Sequence, residues 1–331
     1  MKKVQLTCAH AIVKHLISQK ILVDGKKLPL FAGAFGIFGH GNVACLGQAL
    51  EESKDELPTW RGHHEQNMAL TGIAYSRAKR RKQIFVATSS VGPGSTNMLT
   101  AAAVAMSNRL PMLFLPGDTF ANRMPDPVLQ QVEHFNNPNI TQNDAFKYVT
   151  RYFDRITRPE QILQTMPQAI QTMIDPADCG PACISLSQDV QGETFNYPEE
   201  FFNEKIHTIR RPRPDDYQIK EAAELIKKSK NPIIISGGGI FYSDAMKELS
   251  QFAKKHNIPT AQTVMGYSTM KRDDPYFLGA IGGFGGKAPN DIIKKTDLAI
   301  AIGTKLADFT TGSWSNFENA NFKLVSINVS R

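Results

Sequence analysis

Cys8, Ala11, Ile12, His15, Leu16 and Gln19 recur at the spacing of one helix face, which predicts a helix over residues 8–19. Leu30-Phe31-Ala32 predicts a short buried strand, and the glycine-rich run from Gly33 to Gly41 predicts a turn after it. Helices are expected at 43–52 and 65–79. The second mixes Ala69, Gly72 and Ala74 with Met68, Leu70 and Ile73, a composition suited to close packing against another element. Residues 83–88 form a short apolar run bounded by polar turns, the mark of a strand buried on both faces of a parallel sheet. A loop from Ser89 to Gly94, a helix capped by Ser95 or Thr96 and running to Met106, and a strand at 111–115 complete a βαβ unit. Residues 119–145, rich in Asn, Pro and Gln, predict a long functional or partner-covering loop, and the sheet signal returns at 181–186.

Periodicity fades after Asp189 while Pro, Glu and Arg accumulate, so residues 191–216 are expected to link a first domain, 1–190, to a second, 217–331. The second block reads as a helix at 217–228, a strand at 232–235, Gly237-Gly238-Gly239, a helix at 243–256, and strands at 258–263, 298–303 and 324–328. Strand-helix alternation of this kind predicts an α/β protein with a doubly wound parallel sheet in each domain. Arg331 follows directly on a core strand, so the second domain is expected to be incomplete at its C-terminus.

With 331 residues, 41% apolar and 21% charged, the chain has enough apolar residues for two cores, which excludes disordered and fibrous classes. The net charge of +7 raises the question of nucleic acid. However, the basic runs 79–82 and 210–213 are short and carry no interleaved aromatics, so no nucleic-acid partner is expected. Cys8, Cys45, Cys179 and Cys183 lack metal-knuckle spacing and are expected to be reduced and buried. No apolar run is long enough to cross a membrane and the first residues lack a signal-peptide core, so a cytoplasmic protein with no membrane partner is expected.

Three segments are candidates for chemistry. Gly237-Gly238-Gly239 follows a strand, but Tyr242 stands where the dinucleotide fingerprint needs a small residue. The next strand also ends in Gln262-Thr263 rather than an acid, so a nucleotide-binding type of fold without NAD is expected. Residues 61–67 place Glu65 in the first turn of a helix beside His63 and His64, where a carboxylate is favoured by the helix dipole whatever else it does. Residues 88–97 put Gly92-Pro93-Gly94 at the carboxyl end of a buried strand, where a ligand could approach the backbone closely or the chain could simply turn. No Lys follows Gly94, so this is not a phosphate loop of the G-x-x-x-x-G-K-[ST] kind.

Together, His64-Glu65-Gln66 opening a small-residue helix and, about twenty residues on, a strand ending in Thr-Ser before Gly92-Pro93-Gly94-Ser95-Thr96-Asn97 resemble the pyrimidine-binding domain of thiamine-diphosphate enzymes. These are the enzymes of the acetolactate synthase and pyruvate decarboxylase superfamily. Residues 36–43, 60–69 and 308–313 narrow the resemblance to the hydrolases of inositol catabolism that open a cyclic dione. The second block is similar to the family's central domain.

The resemblance implies thiamine diphosphate and magnesium as cofactors, with Glu65 hydrogen-bonding the aminopyrimidine ring and Gly92, Pro93 and Asn97 shaping its slot. It implies a cyclic dione as small-molecule substrate, hydrolysed to an open-chain deoxyuronic acid, with His40 and His63 or His64 as candidate proton relays. A pyrophosphate-binding domain with a Gly-Asp-Gly motif is also implied. No such motif occurs, Gly117-Asp118-Thr119 being the nearest, so no metal ligands are assigned and the chain is expected to be truncated. A homo-oligomer or a complementing pyrophosphate-domain chain would then be its partner. The alternatives are a non-catalytic dimerising remnant and an acetolactate-synthase-like enzyme.

Overall fold

The computed structural model describes residues 2–122, 124–129 and 131–330. The chain divides into two compact units between Arg210 and Arg211. In the first, parallel strands run in the order Thr59–Arg61, Phe31–Ile37, Ile84–Ser89, Leu113–Phe114 and Ala182–Ser187. The last of these also pairs with Gly117–Asp118 and Tyr152–Ile156. Every residue of Ile84–Ser89 and of Ala182–Ser187 is buried, as expected of strands covered on both faces.

The strand read as Leu30 to Ala32 extends to Ile37, so Gly33 and Gly36 lie within it rather than in a turn. A Cβ on Gly33 would stand 2.4 Å from the Trp60 ring and 2.8 Å from the Pro58 carbonyl, so this glycine admits the neighbouring chain. Residues 43–52 form a π turn, Val43–Gly47, followed by the helix Gln48–Glu52. The helix expected from Ser95 or Thr96 is two pieces, Pro93–Thr96 and Leu99–Asn108, begun by Gly92 and Met98. Ser95 does not cap it, because its hydroxyl is drawn to Asn143.

The stretch 191–216 is not a linker throughout. Thr194–Pro198 pairs antiparallel with Lys3–Thr7, and Lys205–His207 pairs parallel with Gln19, Lys20 and Ile21. Within 191–216 the longest stretch without regular structure is 208–215, before the helix Asp216–Lys228. The partners lie almost two hundred residues away, so local pattern could not show the pairing.

The second unit is a five-stranded parallel sheet in the order Phe277–Ala280, Thr260–Gln262, Pro232–Ser236, Leu298–Ile302, Lys323–Ile327, a doubly wound arrangement. Alternate residues of its central strands feed opposite cores: Ile234 and Ile300 on one face, Ile233, Ile235, Ala299 and Ala301 on the other. The strand Phe277–Ala280 and the helix Lys287–Lys295 were not legible in the pattern. All four cysteines are free, with Cys45 only half-buried. Burial pushes the Cys8 and Cys179 thiols up to about 12, away from reactivity. Among the described residues no helix is long and apolar enough to cross a membrane.

Candidate active site

The first unit gathers its candidate residues at the carboxyl ends of two adjacent strands, Phe31–Ile37 and Ile84–Ser89, the edge where open parallel sheets offer a crevice. Two loops leave these ends side by side. A Cβ on Gly39 would lie 2.5 Å from Ser90 Oγ, and one on Gly41 would lie 2.9 Å from the Val91 nitrogen, so both glycines permit the approach. Buried Asn42 locks the loops together. Its Nδ2 donates to Thr88 Oγ1 and to the Ser89 carbonyl, both at 2.8 Å.

Glu65 opens the helix Glu65–Ala78 and is half-buried. Asn97 Nδ2 donates to Glu65 Oε2 at 2.7 Å and lies 3.3 Å from His64 Nε2. A Cβ on Gly94 would stand 3.3 Å from Glu65 Oε1, so the turn Pro93–Thr96 passes the carboxylate with no side chain between. Gly92 has φ of +75°, a conformation that favours glycine, and starts that turn. With its amide turned so that the nitrogen donates to the Gln131 carbonyl, Gln142 accepts from the Gly92 N–H at 2.9 Å.

Gly39, His40, Glu65, Ser90, Val91, Pro93, Gly94 and Val132 line a cavity of about 520 Å³. The structure thus brings His40, Glu65 and Pro93 to one hollow, with Asn97 bonded to the glutamate. Gly92 sits buried outside the lining, and His63 and His64 are exposed at its margin. Val132 was not singled out by the sequence: it arrives from the 119–145 stretch read as a functional or partner-covering loop, and no periodicity or motif marks the residue itself. It holds φ of +54°, unfavourable for a β-branched residue.

The hollow suits a flat heterocycle with hydrogen-bonding edges. Glu65 offers a carboxylate, Gly94 leaves the space beside it open, and His40 Nε2 is shielded from solvent without a partner among the described residues. The residues for a metal ion are another matter. Among the described residues no three His, Cys, Asp or Glu side chains converge. Asp118, of the nearest acidic glycine sequence, is wholly buried and committed to Arg155 Nε at 2.7 Å and Ser185 Oγ at 2.5 Å.

Residues 31–138 match the family described as thiamine pyrophosphate enzyme, N-terminal TPP binding domain, and residues 219–331 match the thiamine pyrophosphate enzyme central domain. Over 330 residues the chain is 48% identical to 3D-(3,5/4)-trihydroxycyclohexane-1,2-dione hydrolase 1 of Bacillus cereus, covering all of this chain and 51% of that protein. Identity and coverage are the same for 3D-(3,5/4)-trihydroxycyclohexane-1,2-dione hydrolase of Clostridium tetani. The chain spans about half the length of the curated relatives it matches.

Proposed function

We propose, on the premise that the chain belongs to the thiamine pyrophosphate enzymes and carries their N-terminal and central domains, that its first unit is the pyrimidine-holding half of an active site that hydrolyses a cyclic trihydroxy-dione. The observation that carries this reading is the Glu65 carboxylate, held by Asn97 at 2.7 Å against the side-chain-free face of Gly94 in a cavity of about 520 Å³. Thiamine diphosphate, when bound, supplies an electron sink for cleaving the bond between two carbonyl carbons.

The chain's own residues account for the rest. Glu65 accepts or donates a proton at a ring nitrogen through its free Oε1, while the Asn97 amide, a donor toward Oε2, fixes the carboxylate plane. Pro93 and Gly94 wall the slot, and the positive φ of Gly92 sets the direction of that wall. His40 lines the hollow and is the better placed proton relay; exposed His64 reaches the site only through Asn97. Magnesium and the diphosphate would be held by a pyrophosphate-binding domain rather than by the described residues.

The test is heteronuclear NMR of the full chain titrated with thiamine. Resonances of Gly39, Gly41 and residues 90–97 should move, and Glu65→Gln should abolish the movement while preserving the fold. Shifts confined to other residues would overturn the assignment.

A further inference from the structure

The turn that meets Glu65 is closed by its own backbone but has no side-chain cap from Ser95 or Thr96. It is tied to the sheet by a polar chain that begins at an ion pair. Arg155, on the strand Tyr152–Ile156, donates from Nε to Asp118 Oδ2 at 2.7 Å, and from its NH2 group to Asp144 Oδ1 at 3.0 Å and Thr141 Oγ1 at 2.8 Å. Thr141 and Asp144 form a capping box that starts the 3₁₀ segment Gln142–Tyr148. Burial pushes the Asp144 carboxyl up, but Lys147, the Thr141 N–H and Arg155 outweigh it and hold the group below the ordinary carboxylate range.

The pairing of donors with acceptors sets the direction of every bond further along. Asp118 Oδ2 accepts from the Arg155 Nε–H and from the Ser185 hydroxyl, which leaves a lone pair free on Ser185 Oγ. Asn143, wholly buried, donates from Nδ2 into that lone pair at 2.7 Å and to the Gly117 carbonyl at 2.9 Å. With both amide hydrogens used, Asn143 Oδ1 must face the other way, where it accepts from Ser95 Oγ. Ser95 is wholly buried within Pro93–Thr96, and Asn97, whose N–H closes that turn onto the Pro93 carbonyl at 3.1 Å, presents its side chain to Glu65.

We propose that Asn143 is a positioning residue for the Glu65–Asn97 pair. Its amide transmits the fixed orientation of the Arg155–Asp118 ion pair to the turn, and so sets where Asn97 holds the carboxylate. The proposal rests on the reading of Glu65 and Asn97 as the site, but its test needs neither cofactor nor activity.

The experiment is a spectroscopic double-mutant cycle on the full chain with 15N-labelled asparagine. In the native background, Glu65→Gln should shift the Asn97 side-chain amide resonance. In the Asn143→Ala and Ser95→Ala backgrounds that shift should fall by about half or more, showing coupling between the sites. Ser18→Ala is the control: it removes a buried hydroxyl that bonds the His15 carbonyl, shares no partner with this chain of bonds, and should leave the shift unchanged. A full-sized shift in folded Ser95→Ala would overturn the role of Asn143, whereas no shift in the native background would overturn the pairing of Glu65 with Asn97 itself. Ser95→Ala loses a single hydroxyl, so it keeps the test open if Asn143→Ala does not fold.

Discussion

Two glycine turns, each following a central parallel strand, are put to opposite uses. In the first unit, Gly92 to Gly94 leave a hollow: a Cβ on Gly94 would meet nothing nearer than a carboxylate oxygen at 3.3 Å. In the second, Gly237 to Gly239 leave no room. A Cβ on Gly237 would lie 2.3 Å from the Gly303 carbonyl, one on Gly239 would lie 2.6 Å from Gly303 Cα, and one on Gly266 would lie 2.1 Å from the Ser236 carbonyl. There the backbones of three loops press together at the sheet edge where a dinucleotide would sit. A glycine-rich turn after a strand therefore signals close approach to the backbone, and what approaches can be a ligand or the protein itself.

The comparison breaks most sharply at the carboxylate. In an assembly active on the dione, Glu65→Gln should lower turnover about 10²- to 10⁴-fold, the usual worth of a positioned proton donor or acceptor, with an unchanged circular dichroism spectrum. A loss smaller than tenfold would return Glu65 to a helix-terminus role. In the second unit the expected loss is of stability. Gly237→Ala should destabilise that unit by about 3 kcal/mol or more, because the methyl group meets backbone that cannot rotate away. Denaturant unfolding checks it, and a midpoint within error of the native one would refute the packing account.

A pH scan separates the hollow from the core beneath it. Burial pulls His15 down to about 4, against its hydrogen bond from Nδ1 to the Phe201 carbonyl at 2.8 Å, and burial also lowers His207. The unfolded chain binds protons more readily than the folded one, so stability is complete above about pH 6.5 and declines as pH falls toward 4, by up to about 3 kcal/mol for His15. His15→Gln should flatten that decline in thermal melts without touching the hollow. The smallest effect belongs to Gly94→Ala. Its methyl group meets only a flexible side chain, so stability should change by less than about 1 kcal/mol while thiamine-dependent NMR shifts at residues 90–97 disappear.

By itself the chain determined what short-range patterns can encode. The apolar run at 83–88 announced a strand buried on both faces, the run at 298–303 announced a strand, and the helical spacing over 8–19 announced a helix, which Thr7 caps. Glu65 and Pro93 could be singled out because helix starts and strand ends are local features, whereas His40 and Asn97 were implied only by the family resemblance. Tertiary structure alone decided what depends on distant partners. Pairing with Ile84–Ser89 kept Gly33 within a strand, Lys3–Thr7 drew Thr194–Pro198 out of the expected linker, and Asn143 took the Ser95 hydroxyl from its cap. Val132 joined the cavity from a stretch with no pattern at all. Hydrogen-bond partners and cavity walls are chosen by what lies across space, and a one-dimensional pattern carries no record of that until the sheet has formed.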